Sequence, residues 1–403
     1  MQLDSRTRVR RAMECGTRRG DSAPDRVPVF CQLSIGHYFL HGGVAPFDIW
    51  YRSEGFAEAL VRLAGRYRFD GILVNLPGRP PDIDRFVDRI EPGADEDIVH
   101  WQNGCHSRLP HDDCAHYFLP TGERYFPTFD EVDPATLYYV EPWDVSEMHH
   151  PTGLPFAHTW GFEETPRTAE DFFPDHHLDT LRRVIELKGA ELSVHSEVFS
   201  PFSQLLELFN YEKALMALLD DPSRVHACLE RLTLGAADLA SRQAACGVDA
   251  VLISSAFAGA GLIGRDHYGE FVLPYERRLV EAIRARHPET FVYTHTCGSI
   301  GDRLDLMLET GTQGIDTLDP PPLGTVELES ARELLDGKAF IKGNIDPVTT
   351  MLNGGLEDVR RDARRRIEIG SPGGGYILST ACSVAPATPP QNLEALVEVA
   401  EES

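Results

Sequence analysis

Eight short, mostly apolar runs alternate with helical patterns along this chain, and that alternation restricts its fold more than any other feature. The runs fall at 27–33, 71–75, 191–197, 250–254, 291–295, 314–317, 339–343 and 376–380. Several are apolar almost throughout, as strands covered on both faces are. Parallel strands need long crossovers rather than hairpins, and helical periodicity fills most of the gaps. The pattern predicts an α/β protein, a closed (β/α)8 TIM barrel built by residues 1–403 as a single domain.

Local signals place the helices. Pro222 suits the first turn of a helix reaching about Arg242, capped by Asp220 or Asp221. Asp266 reads as the cap of a helix to about Ala285 that Pro274 kinks or divides. A further helix is expected over 356–369, stopped by Gly370, and another over 393–399.

One stretch breaks the alternation. Residues 95–175 are rich in His, Pro, Trp, Tyr and Phe with little helical periodicity. They are expected to form an insertion lying as a lid over the C-terminal face of the barrel. Cys105, His106, His111, Cys114 and His116 within it raise the question of a second metal, but their spacing matches no common zinc module.

The net charge of −25 argues against nonspecific nucleic-acid binding, which needs a basic surface. No apolar run is long enough to span a membrane, and residues 1–19 carry arginines without the apolar core of a secretory signal. Eight cysteines are too sparse for a disulfide scaffold, so reduced thiols and a cytoplasmic location are expected.

In parallel barrels the working residues stand at the C-terminal ends of the strands. Asn75 falls there on the second run, His195 and Glu197 on the third, Ser254 on the fourth, and His295 with Cys297 on the fifth. Asp319 follows the sixth run, Asn344 and Asp346 the seventh, and Cys382 the last. Side chains two apart in a strand share a face, so His295 and Cys297 can converge on one ion with Cys382. One imidazole and two thiolates suit zinc and leave its fourth position open. Such a centre has no net charge, and a substrate thiol entering it would lose its proton and attack an alkyl group as a zinc thiolate. Glu197 and Asp319 are candidate catalytic carboxylates, as a resting fourth ligand or as the partner of the second His295 nitrogen. Asn75, His195, Ser254, Asn344 and Asp346 are candidate substrate contacts. Asp346 equally suits a helix cap, and Asp319 before three prolines a rigid turn.

Four motifs carry a family resemblance over about 192–399. They are Phe271-Val272-Leu273-Pro274-Tyr275, Thr294-His295-Thr296-Cys297-Gly298, Gly343-Asn344-Ile345-Asp346-Pro347 and Thr388-Pro389-Pro390-Gln391-Asn392. This segment resembles the uroporphyrinogen decarboxylase superfamily, especially its corrinoid methyltransferase branch. The resemblance implies a TIM barrel, zinc at His295, Cys297 and Cys382, and a thiol methylated from a methylcorrinoid (cobalamin) held outside this chain. It also implies a small-molecule thiol partner, a separate corrinoid protein, and a homodimer as one assembly. The insertion and His195-Ser196-Glu197 depart from that branch and leave the thiol and the methyl donor open. Two alternatives stand beside it. One is a decarboxylase acting on a tetrapyrrole, although no arginine-rich segment for gripping carboxylates is found in 29–43. The other is a noncatalytic corrinoid- or metal-binding accessory protein.

Overall fold

The computed structural model describes residues 2–20, 22–118, 120–121, 129–130, 132–141 and 172–403. Seven parallel strands curl into one sheet: β1 (Gly71–Val74), β6 (Ser193–Phe199), β7 (Ala250–Ser254), β8 (Phe291–Thr296), β9 (Gly314–Thr317), β10 (Phe340–Ile345) and β11 (Tyr376–Thr380). Strands β2 (Val87–Glu91), β3 (Glu96–Trp101), β4 (His106–Pro110) and β5 (His116–Phe118) form a second sheet. Three of the expected runs match their strands at both ends, while the strand expected at 191–197 begins two residues later and runs on to Phe199.

The eighth stave is the stretch expected as a strand at 27–33. It is held by hydrogen bonds rather than by a full ladder. On one edge Phe30 donates to the Leu378 carbonyl at 3.1 Å, and Leu378 donates to the Pro28 carbonyl at 2.9 Å. On the other, Asp70 donates to the Val29 carbonyl at 2.8 Å. Pairing stays local for two reasons. Pro28 has no N–H, and the Val29 N–H goes to the Asp70 carboxylate at 2.8 Å instead of a neighbouring strand. These contacts close the sheet into a TIM barrel.

Helix Ser5–Gly16 plugs the floor. Its Val9, Ala12 and Met13 pack against Phe30, Leu252, Tyr293, Phe340 and Ile377, all buried. Outside the barrel, helix Pro222–Ala245 is capped by Asp221, which accepts the Arg224 N–H at 3.0 Å. The helix expected from Asp266 is divided at Val272 into Arg265–Phe271 and Leu273–Arg286, with Pro274 in the first turn of the second and Gly264 rather than Asp266 at the first cap. Helices Leu356–Gly370 and Pro390–Glu402 complete that layer, the second longer at both ends than 393–399 suggests.

The insertion starts earlier than 95. Strands β2 (Val87–Glu91), β3 (Glu96–Trp101), β4 (His106–Pro110) and β5 (His116–Phe118) form an antiparallel meander. Trp101 packs edge-on against Tyr51, with ring centroids 5.1 Å apart. A side chain at Gly36 would strike the Asp112 carbonyl at 2.2 Å, so helix Ile35–His41 and the meander meet closely there. That helix follows the eighth stave on its C-terminal side, which sets the meander on the same rim as the strand ends. Residues 119, 122–128, 131 and 142–171 of the expected lid lie outside the described residues.

Candidate metal centre

Two strand ends bring the ligand set together. His295 sits on β8 and is 4% exposed. The chain leaves β8 through Cys297 and turns at Gly298, whose φ of +77° suits a residue without a Cβ. Cys382 lies just past β11. His295 Nε2 is 3.2 Å from Cys297 Sγ, which is 3.3 Å from Cys382 Sγ, and the three ligand atoms lie within 4.8 Å of one another. Both sulfurs are free thiols, far beyond the roughly 2.05 Å of a disulfide. A tetrahedral zinc with Zn–S of about 2.3 Å needs ligand edges of about 3.8 Å, so small side-chain shifts would seat one. The donor set fits.

Electrostatics favour one thiolate in the cluster. The hydrogen bond shared by Cys297 and Cys382, with His295 beside it, holds Cys382 well below the ordinary thiol range, while Cys297 is pushed up. Burial disfavours the His295 imidazolium, but the hydrogen bond to Asp316 and the neighbouring Cys382 raise it to about 10.

Sequence reasoning missed the groups behind His295. Asp316, rather than Glu197 or Asp319, takes its second nitrogen, with Nδ1 and Oδ2 3.1 Å apart. Lys342 Nζ in turn donates to both Asp316 oxygens, at 3.0 and 3.2 Å. Burial pushes Asp316 up, but Lys342 and then His295 hold it below the usual carboxylate range. The signal was present, since a lone charge interrupts each of the apolar runs at 314–317 and 339–343.

The other expected residues divide. Asp319 Oδ2 accepts the Gly298 N–H at 2.6 Å, and burial raises its carboxyl to about 6. Glu197 is raised to about 7 by burial, opposed by His295 and by a hydrogen bond from Ser254. Asn75 and Glu197 line one enclosed cavity of about 20 Å³. Asp346 caps the turn Pro347–Leu352, accepting the Val348 and Thr349 N–H groups, both at 2.8 Å. His195 is a packed core residue between Ser193 Oγ at 3.1 Å and the Tyr293 hydroxyl at 2.9 Å, and burial lowers it to about 3. Asn344 donates to the Leu318 carbonyl and accepts from Arg366, so the fold uses both ends of its amide. The insertion cysteines and histidines scatter, too. His111 faces Asp97, His106 stacks on Phe118, Cys105 is buried, and only Cys114 and His116 approach each other, with Asp113.

Fold and site together define a TIM-barrel protein with a two-thiol, one-imidazole cluster at its mouth. The chain belongs to the uroporphyrinogen decarboxylase (URO-D) family, whose model matches residues 163–403. It is 29% identical over 233 residues to the methylcobamide:CoM methyltransferase MtbA of Methanosarcina acetivorans, covering 56% of this chain and 62% of that protein. It is 33% identical over 193 residues to a uroporphyrinogen decarboxylase of Saccharopolyspora erythraea, covering 47% of this chain and 52% of that one. It therefore spans less than two thirds of the length of either relative. A methyltransferase from Methanosarcina mazei shares the fold across 100% of this chain and 99% of its own, with a TM-score of 0.69 and 16% identity. Among the described residues no helix is long and apolar enough to cross a membrane.

Proposed function

We propose that this protein is a zinc-dependent methyltransferase that alkylates a small-molecule thiol, with a methylcorrinoid, free or on a separate protein, as the methyl donor. The observation that carries the reading is the convergence of His295, Cys297 and Cys382 at the barrel mouth. His295, Cys297 and Cys382 would hold the zinc, which would supply a Lewis acid favouring the thiolate form of an entering thiol at neutral pH. The protein's own groups do the rest. Asp316 fixes the His295 ring so that Nε2 faces the two sulfurs. Asp319 pins the loop that carries Cys297. Glu197, raised by burial to about 7, is the proposed acceptor of the thiol proton. The new sulfur–methyl bond forms as the cobalt–methyl bond breaks, and the electron pair stays on cobalt. The insertion, on the rim of the strand ends, keeps water from the electrophile.

The relatives also include decarboxylases, whose porphyrinogen chemistry requires no metal, so chelation separates the readings. The test is metal analysis of the purified protein, followed by methylcobalamin demethylation with 2-mercaptoethanol and other small thiols, with and without chelator. Loss of the cobalt–methyl absorbance that needs both metal and thiol is expected. Full zinc content in each of His295→Ala, Cys297→Ser and Cys382→Ser, or chelator-insensitive turnover of uroporphyrinogen, overturns the reading.

A further inference from the structure

Three neighbouring strands present a charged row inside the barrel. His295 on β8 pairs in register with Asp316 on β9, which pairs in register with Lys342 on β10. All three side chains face the interior and are 4%, 2% and 1% exposed. The Lys342 ammonium has the Asp316 carboxylate on one side and the Phe30 ring on another, 5.0 Å from its centroid.

A lysine is almost never buried this deeply without a reason. Its removal from water is costly, and an apolar side chain of similar length usually fills such a place at no loss of stability. Packing therefore does not account for it. Charge balance does. Zinc with two thiolates and a neutral imidazole sums to zero, and Asp316 alone would leave a buried negative charge directly behind the imidazole. A thiol that then loses its proton adds a second negative charge in a medium that screens poorly.

We infer that Lys342 is a positioning residue for this centre, its ammonium cancelling Asp316 so that the carboxylate orients His295 without opposing ionisation of the bound thiol. The inference rests on the zinc–thiol reading above. Removing the ammonium has a readable consequence. With no ammonium opposing it, Asp316 draws harder on the Nδ1 proton, and the uncancelled negative charge behind His295 makes the bound thiol harder to deprotonate.

The experiment uses the full-length protein loaded with zinc or with cobalt(II), and compares the native chain with Lys342→Met, Asp316→Asn and the double variant. Metal affinity is read by competition with a chromophoric chelator. Thiol ionisation is read as the pH midpoint of the sulfur-to-cobalt charge-transfer band with 2-mercaptoethanol as probe. Lys342→Met is expected to raise the midpoint by about one pH unit. The double variant should restore the midpoint while binding metal more weakly than the native chain. A purely structural lysine would lower the melting temperature and leave the midpoint in place. The inference is overturned if Lys342→Met keeps the native midpoint. Should that variant fail to fold, an Asp316→Asn midpoint and affinity equal to native overturn it instead. A native chain that takes up neither metal fails at the proposed function itself, which is a distinct result.

Discussion

Asp319 Oδ2 accepts the backbone N–H of Gly298 at 2.6 Å, so a carboxylate following β9 holds the turn that begins one residue after Cys297. Both groups belong to loops, and this bond ties them at the mouth. Asp319→Ala removes the tie and should weaken zinc binding by about 10- to 100-fold, the usual range for groups that support metal ligands. Asp319→Asn, which still offers an oxygen, should lose less. Chelator competition on the two variants measures both.

Glu197 supplies a pH dependence with a definite sign. Its carboxyl is raised to about 7, chiefly by burial, and as a proton acceptor it must be ionised. Activity should therefore rise with pH through about 7 in the native enzyme. Glu197→Gln should lower kcat by roughly 100-fold, within the range typical of a lost general base, and flatten that limb of the profile. A Gln variant with the native pH profile would remove Glu197 from the proton path.

Glu276 tests the fold rather than the chemistry. It is fully buried against Ser255 and the Tyr268 hydroxyl, and its carboxyl is raised from 4.5 to about 7 by burial. Because the folded-state value lies above the unfolded one, its contribution is complete below about 4.5 and is lost as pH rises through about 7. A shift of that size is worth on the order of 3 kcal/mol. Denaturant titrations at pH 5 and pH 8 should find this decline in the native protein and a flatter dependence in Glu276→Gln.

Asp70 joins the eighth stave to the barrel. It is fully buried, pairs with Arg8 at 2.7 Å and Arg26 at 2.8 Å, and takes the Val29 N–H. Asp70→Ala takes one of two carboxylates from Arg8, which keeps Asp25, and leaves the buried Val29 N–H without its acceptor, so it should cost about 1–3 kcal/mol. Thermal unfolding would register this as a fall of several degrees in Tm.

Much of the barrel was legible in the chain because buried parallel strands must be apolar and their helices must carry a 3.6-residue period. The runs at 250–254, 314–317 and 376–380 coincide with β7, β9 and β11 for that reason. The first stave was legible only as an apolar run. Its hydrogen bonds are made with Asp70, Leu378 and Val384, and no local pattern encodes partners so far away. The meander was obscured by turns and aromatic residues, since β2 and β3 are largely exposed or half-buried with little alternation and the alternating β4 and β5 are only five and three residues long.

By itself the sequence determined the strand–helix order and the two-residue spacing that keeps His295, in β8, close to Cys297, one residue beyond its end, because both follow from backbone geometry between near neighbours. Tertiary structure alone decided which groups support them. Asp316 and Lys342 reach His295 through strand register, His195 and Asn344 are taken up by the core and the loops, and Cys382 meets Cys297 only because the sheet closes. Register and closure are set by packing over the whole barrel, and residues 85 positions apart become neighbours only once that packing is complete.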